Sequence, residues 1–219
     1  MDLSSERIKQ LGQKVYKSRT RLLVYSGFFG VLAMSLKFKF DSSTERVYTD
    51  GEYIAFNPDF VGGALDSELD FAIMHEIMHL VLKHPFRGPV SDPLYNRACD
   101  IVVNSNILEV HKDDISSITV FGEEQEHTTP NGVEGREKSV EEVYEELKLL
   151  DGQVSESDKD DPNDSKSPKD QHGKQSQSEG EGDGDGQSFD DHSKWQKPVT
   201  PQDSLREIDF EQRVVDAAE

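Results

Sequence analysis

Between Ser67 and His84 the chain reads SELDFAIMHEIMHLVLKH, and its apolar residues return on every side of a helix rather than on one. Phe71, Ala72, Ile73, Met74, Ile77, Met78, Leu80, Val81 and Leu82 leave no polar face, so this element must be the buried centre of whatever forms around it. Ser67 with Asp70 reads as its capping box, and Pro85 predicts an end at Lys83 or His84. Yet His75, Glu76 and His79 lie inside it, and burying three such groups is costly unless they are paired or bind a metal.

Their spacing points to the metal. His75-Glu76-Ile77-Met78-His79 is the pattern HExxH, in which residues i and i+4 stand one above the other on a single helical face. Both imidazoles can then reach one tetrahedral Zn²⁺ through bonds of about 2.0–2.1 Å, with Glu76 placed to act as general base on water. So short a pattern also arises by chance, and the rival reading is a pair of satisfied core histidines; burial in an apolar helix favours the metal.

A catalytic zinc takes a third protein donor as well. Asp100 lies in the next expected helix, from about Pro93 to Glu109, with Asn96 and Asn104 one turn to either side, a placement that suits a ligand delivered by a packed neighbour. Its ordinary reading is a helix-face acid paired with Arg97. Cys99, Glu109 and His111 compete with it, although a single Cys among hydrophobes is more often core. His84, five residues past His79 and roughly 140° round the helix, should point away from the metal unless the helix has unwound there. Asn104 reads either as a group that orients a ligand or as a plain surface Asn. The longer zincin pattern would need Gly at 82 and His at 85, and Leu82 and Pro85 exclude it.

Composition limits how much of the chain can join this core. Only 33% of the 219 residues are hydrophobic, whereas a globular domain carries roughly 45–50% apolar residues counting Gly. The shortage is concentrated after Leu150. Residues 151–202 are rich in Asp, Glu, Ser, Gly, Lys and Gln and nearly lack aliphatics, which predicts a disordered, solvated acidic linker or an interaction tail for a partner protein. Phe189, His192 and Trp195 interrupt it as a candidate docking element. Residues 203–219 set Leu205, Ile208, Phe210, Val214 and Val215 at roughly helical spacing without a stop signal, so they read as a last helix from which a second region would continue.

Residues 1–150 are then the folded domain. Ser5 to Arg21 has the period of an amphipathic helix, and residues 35–40 alternate as a half-buried strand. Asp50-Gly51 between two β-prone runs is a hairpin turn, and Asn57-Pro58 closes the second strand. Ser139 with Glu142 caps a final helix ending near Leu150. The mixture is an α+β domain: a small mixed sheet or hairpin packed on the buried helix and its neighbours.

Charge and signals narrow the setting. With 24 Lys and Arg against 44 Asp and Glu the net charge is −20, which repels phosphate and excludes nucleic acid as a partner. The most apolar stretch, 22–36, falls short of the roughly 20 residues that span a bilayer, so no membrane segment is expected. A single cysteine, and a start without basic and apolar signal regions, fit a reducing cytoplasmic location.

The order of segments is also familiar. SGFFGVLAMSL leading into a strand, TDGEYIAFNPDFV, HEIMHLVLKHPFR, YNRACDIVVNSNIL and SVEEVYEEL together resemble the metallopeptidase domain that commonly precedes a von Willebrand factor A-like domain in bacterial and phage proteins. The likeness covers roughly residues 5–150. Its most specific parts are HExxHxxxxHxxR, here His75, Glu76, His79, His84 and Arg87, and AxDxxxN, here Ala98, Asp100 and Asn104. The resemblance implies a zincin-like zinc metallopeptidase acting on a peptide or protein substrate. His75, His79 and Asp100 would hold Zn²⁺, Glu76 would move the proton, and Tyr95, Arg87 or His84 would steady the developing oxyanion. The strand within residues 52–56 would be the edge on which an extended peptide pairs. The other class it allows is a catalytically silent, zinc-stabilised binding module that works with a partner such as an ATPase.

Overall fold

The computed structural model describes residues 4–157, 189–190, 192–195 and 201–218. Its first helix, α1 (Ser5–Tyr25), opens where the Ser4 hydroxyl accepts the Arg7 N–H at 3.3 Å, and buries Leu11, Val15, Ser18 and Leu22 at helical spacing. It runs past the expected end at Arg21. After a joint at Ser26 comes α2 (Gly27–Ser35), a short apolar helix where the sequence reads only as an approach to a strand; Phe29, Leu32 and Ala33 form its buried side. Gly30 lets the two helices meet, because a Cβ there would lie 2.2 Å from the Leu23 Cα.

Strands β1 (Lys37–Phe40), β2 (Val47–Thr49) and β3 (Tyr53–Phe56) make one sheet in the order β1-β3-β2. The expected hairpin is β2 with β3, antiparallel, with Thr49 opposite Ile54. Asp50 holds its turn by accepting the N–H groups of Glu52 and Tyr53 at 3.0 and 2.8 Å, while Gly51 takes φ +86°. β1 joins β3 in parallel. One expectation is thereby corrected: the strand within residues 52–56 is flanked on both sides, so it offers no edge to a peptide, and β1 and β2 border the sheet instead.

Asn57 caps α3 (Pro58–Gly63), and α4 (Asp66–Val81) follows. Its cap differs from the expected Ser67 and Asp70: Glu68 turns back to accept the Leu65 N–H at 2.6 Å. Asp70 instead faces inward and accepts from Ser18, Arg21 and Tyr25 of α1. The helix also stops short of Lys83, which takes the left-handed conformation at φ +60°, and His84–Phe86 form a single 3₁₀ turn. Next is α5 (Pro93–Val110), capped by the Asp92 carboxylate on the Leu94 N–H at 2.9 Å. A two-stranded ribbon, β4 (Thr119–Val120) with β5 (Glu123–Glu124), leads to α6 (Val140–Ser157), which opens on the Ser139–Glu142 box and continues past Leu150. The last helix is α7 (Pro201–Ala218).

The lack of a polar face on α4 matches its position at the centre of the core. Leu69, Ile73, Met74 and Ile77 share one apolar cluster with Leu22 of α1, Leu32 of α2, Phe56 of β3 and Ile107 of α5, and also with Phe189 and with Phe210 of α7. Each large side chain buried there stabilises the fold by about 1.5–3 kcal/mol. A second cluster joins Tyr95, Cys99 and Val102 of α5 to Val140, Val143 and Leu147 of α6. The described residues thus form a helix-dominated α+β structure with two small sheets. None of their helices is long and apolar enough to cross a membrane.

Candidate metal centre

His75 and His79 stand one turn apart on α4, both fully buried, with their Nε2 atoms 2.9 Å apart. The adjoining α5 delivers Asp100, whose Oδ1 lies 3.6 Å from His75 Nε2 and 3.3 Å from His79 Nε2. A fourth donor, Asp190, arrives from beyond the acidic stretch, its carboxylate oxygens 3.8 Å from each imidazole nitrogen. The ligand atoms of these four residues all lie within 4.8 Å of one another. Four donors bound at about 2.0–2.1 Å would stand roughly 3.3–3.4 Å apart at the corners of a tetrahedron, inside the range of spacings seen here.

Hydrogen bonds behind the histidines set how the rings face. The Asn104 amide donates to the Glu126 carbonyl at 2.9 Å, which leaves its Oδ1 to accept the His75 Nδ1–H at 3.0 Å. Neutral His75 then turns the lone pair of Nε2 to the centre. His79 shares a hydrogen with His84, Nδ1 to Nδ1, at 2.9 Å. When His79 donates across that bond, two acceptor nitrogens and two carboxylates converge, and such a set calls for a cation.

A proton can serve in that place. Burial opposes charge on His75, but the bonds to Asp100 and Asp190 outweigh it and raise its pKa to about 10. Burial, and then the charge on His75, lower His79 to about 4. Burial works against ionised Asp100 and Asp190 too, yet His192 and the other imidazoles hold both well below the usual carboxylate range. A divalent metal ion satisfies the same four donors with more charge.

Glu76 is in the opposite condition. It is fully buried, and neither carboxylate oxygen has a hydrogen-bond partner among the described residues. Burial first, and then the negative charge of Asp190, push its pKa well above the ordinary carboxylate value. A carboxyl group kept that way at the wall of a polar centre is suited to holding a proton in transit.

The other residues singled out by sequence fall into place around this group. Arg97 pairs with Glu126 at 2.7 and 2.8 Å rather than with Asp100. His84 is brought back by the left-handed turn at Lys83 and bonds the outer nitrogen, Nδ1, of His79, but is not itself one of the converging donors. Burial, His79 and Arg87 hold His84 well below its usual pKa. Tyr95 packs edge-on to Tyr144 of α6 at 5.4 Å between centroids, and Arg87 reaches Glu141 at 3.5 Å; neither belongs to the converging group. Cys99, Glu109 and His111 are outside it as well, with Cys99 in the α5–α6 cluster and His111 beside Tyr25 at the end of α5.

Asp190 is the residue that sequence reasoning misses. Its neighbours enclose the histidines: Phe189 lies edge-on to Phe71 at 4.9 Å and to His75 at 5.1 Å, and Trp195 lies 4.9 Å from the His79 ring. His192 Nε2 approaches Asp190 at 3.0 Å and Asp100 at 3.3 Å. The Trp195 indole N–H donates to the Thr49 carbonyl at 3.0 Å. The available signal is the interruption itself, aromatic residues and a histidine flanking an aspartate in a run otherwise nearly without them.

Fold and site define a class: a helix-dominated α+β domain whose central helix and its neighbours present a His/Asp group able to hold a metal ion. The chain belongs to the family described as "Putative metallopeptidase domain", whose model matches residues 11–217, and this is the family to which the order of its segments points. The match runs through the acidic stretch and into α7. No curated protein and no solved structure matches the chain.

Proposed function

We propose that this protein is a zinc-dependent peptidase in which His75, His79 and Asp100 hold the ion and Glu76 is the general base. The observation that carries this reading is Glu76, a buried carboxyl without a hydrogen-bond partner among the described residues, in the turn between two inward-facing histidines. A purely structural zinc site has no need of such a group. Zinc held there would acidify water and polarise a peptide carbonyl. Glu76 takes a proton from the attacking water and returns it to the leaving amine, and no hydrogen bond among the described residues ties up its carboxylate. Asn104 and His84 keep the two imidazoles turned toward the centre. An extended peptide or protein segment would pair along β2, the border strand whose Thr49 carbonyl meets Trp195 beside the histidines.

Replacing Glu76 with Gln tests this role. The variant should keep its zinc and lose hydrolysis of a mixed peptide library, followed by mass spectrometry, by about 10²–10⁴-fold. Unchanged cleavage would overturn it. A second reading has its own observation: Asp190 makes four protein donors, and zinc sites closed by four protein ligands are structural. On that reading the domain is a metal-stabilised binding module, and the wild type would keep its zinc while cleaving nothing in the same library.

A further inference from the structure

We propose that Asp190 is a fourth protein ligand of the metal and that the segment delivering it, of which residues 189, 190 and 192–195 are described, covers the metal centre as a removable plug. The proposal rests on the reading of His75, His79 and Asp100 as metal ligands. Asp190 stands equally far from both imidazole nitrogens, 3.8 Å in each case, with its side chain fully buried. Catalytic zinc keeps one position for water or substrate, and four protein donors leave none.

The rest of the segment is arranged as an occupant. Phe189 enters between Phe60, at 6.1 Å, and Phe71, and lies against His75. His192 and Trp195 cover His79 at 5.1 and 4.9 Å between ring centroids. Trp195 donates to the carbonyl of Thr49 on β2, a backbone group that a peptide paired along that border would use. A substrate or partner that competes for this position would lift Asp190 away and free a ligand position.

Cobalt(II) in place of zinc, bound to the full chain, gives readouts that need no substrate. Trp195 is the single tryptophan of the chain, so its emission reports on this segment alone. In the wild type, bound Co²⁺ should quench that emission, and added acetohydroxamate, a small bidentate metal ligand, should leave the visible spectrum unchanged. Asp190→Asn should still bind one Co²⁺, at least about tenfold more weakly in chelator competition, and its spectrum should shift on adding acetohydroxamate. Trp195→Ala removes no metal donor, only a ring packed against His79, and should also admit the hydroxamate, which keeps the test decisive if Asp190→Asn does not fold. Equal Co²⁺ affinity and equal hydroxamate response in wild type and variants would overturn the plug while leaving the three-ligand site standing. Folded wild type that binds no Co²⁺ would overturn both.

Discussion

Asn104 holds His75 through one bond at 3.0 Å, and its own orientation is fixed by the Glu126 carbonyl. Asn104→Ala leaves that imidazole free to turn, so zinc affinity should fall by about 10–100-fold in competition with a chromophoric chelator. Unchanged affinity would mean that another group orients the ring. Cys99 makes a different prediction. Burial, and then the negative charge of Asp100, push its thiol well above the ordinary range. Native protein at pH 8 should therefore resist iodoacetamide, while the urea-unfolded chain is labelled quickly. The sign of the linked stability follows: above about 8.5 the unfolded chain loses a thiol proton that the folded chain keeps, so this contribution is full below that pH and declines as pH rises, by up to about 1.4 kcal/mol per unit. Urea titrations at pH 8 and 10 read it, and equal labelling of native and unfolded protein would contradict the burial.

At the scale of elements, α1 and α2 cross in close backbone contact. Gly30→Ala puts a methyl group 2.2 Å from the Leu23 Cα, against backbone that cannot swing aside as a side chain can. The gain in helix propensity, about 1 kcal/mol, is outweighed by overpacking, and the variant should lose about 2 kcal/mol or more in a denaturant titration. No loss would mean that the helices slide apart freely. What the sequence makes legible here is local. The unbroken apolar surface of α4, the Asp50-Gly51 turn and the Ser139–Glu142 cap each depend on residues a few positions apart. What it hides depends on distant partners. The α2 segment is apolar without a period, so its contacts with α1, α4 and α7 are what make it a packing helix. Asp70 looks like a cap until Arg21 and Ser18 of α1 claim it. β1 pairs in parallel with β3, a register no turn residue announces. The same division runs through the site: His75, Glu76 and His79 follow from one helix and Asp100 from the next, whereas Asp190 requires the chain to return from beyond the acidic stretch.

The whole molecule is organised around that return. Phe189 and Phe210 join the apolar cluster built on α4, so described residues on both sides of Trp195 pack on the same helix that carries the histidines. A bound ion would tie α4 and α5 to Asp190, and its removal should then be felt throughout. At a free metal concentration about 100 times Kd, binding adds roughly 2.7 kcal/mol to stability, so a chelator should lower Tm by several degrees and shift Trp195 emission in the same titration. A melting temperature indifferent to chelator would place the metal outside the fold. The most direct test is the zinc content per chain by elemental mass spectrometry, for wild type, His79→Ala and Asp100→Ala purified identically. About one zinc per wild-type chain, lost or sharply reduced in both variants, is the expected result; folded wild type that holds no zinc even after zinc is supplied would contradict the metal centre.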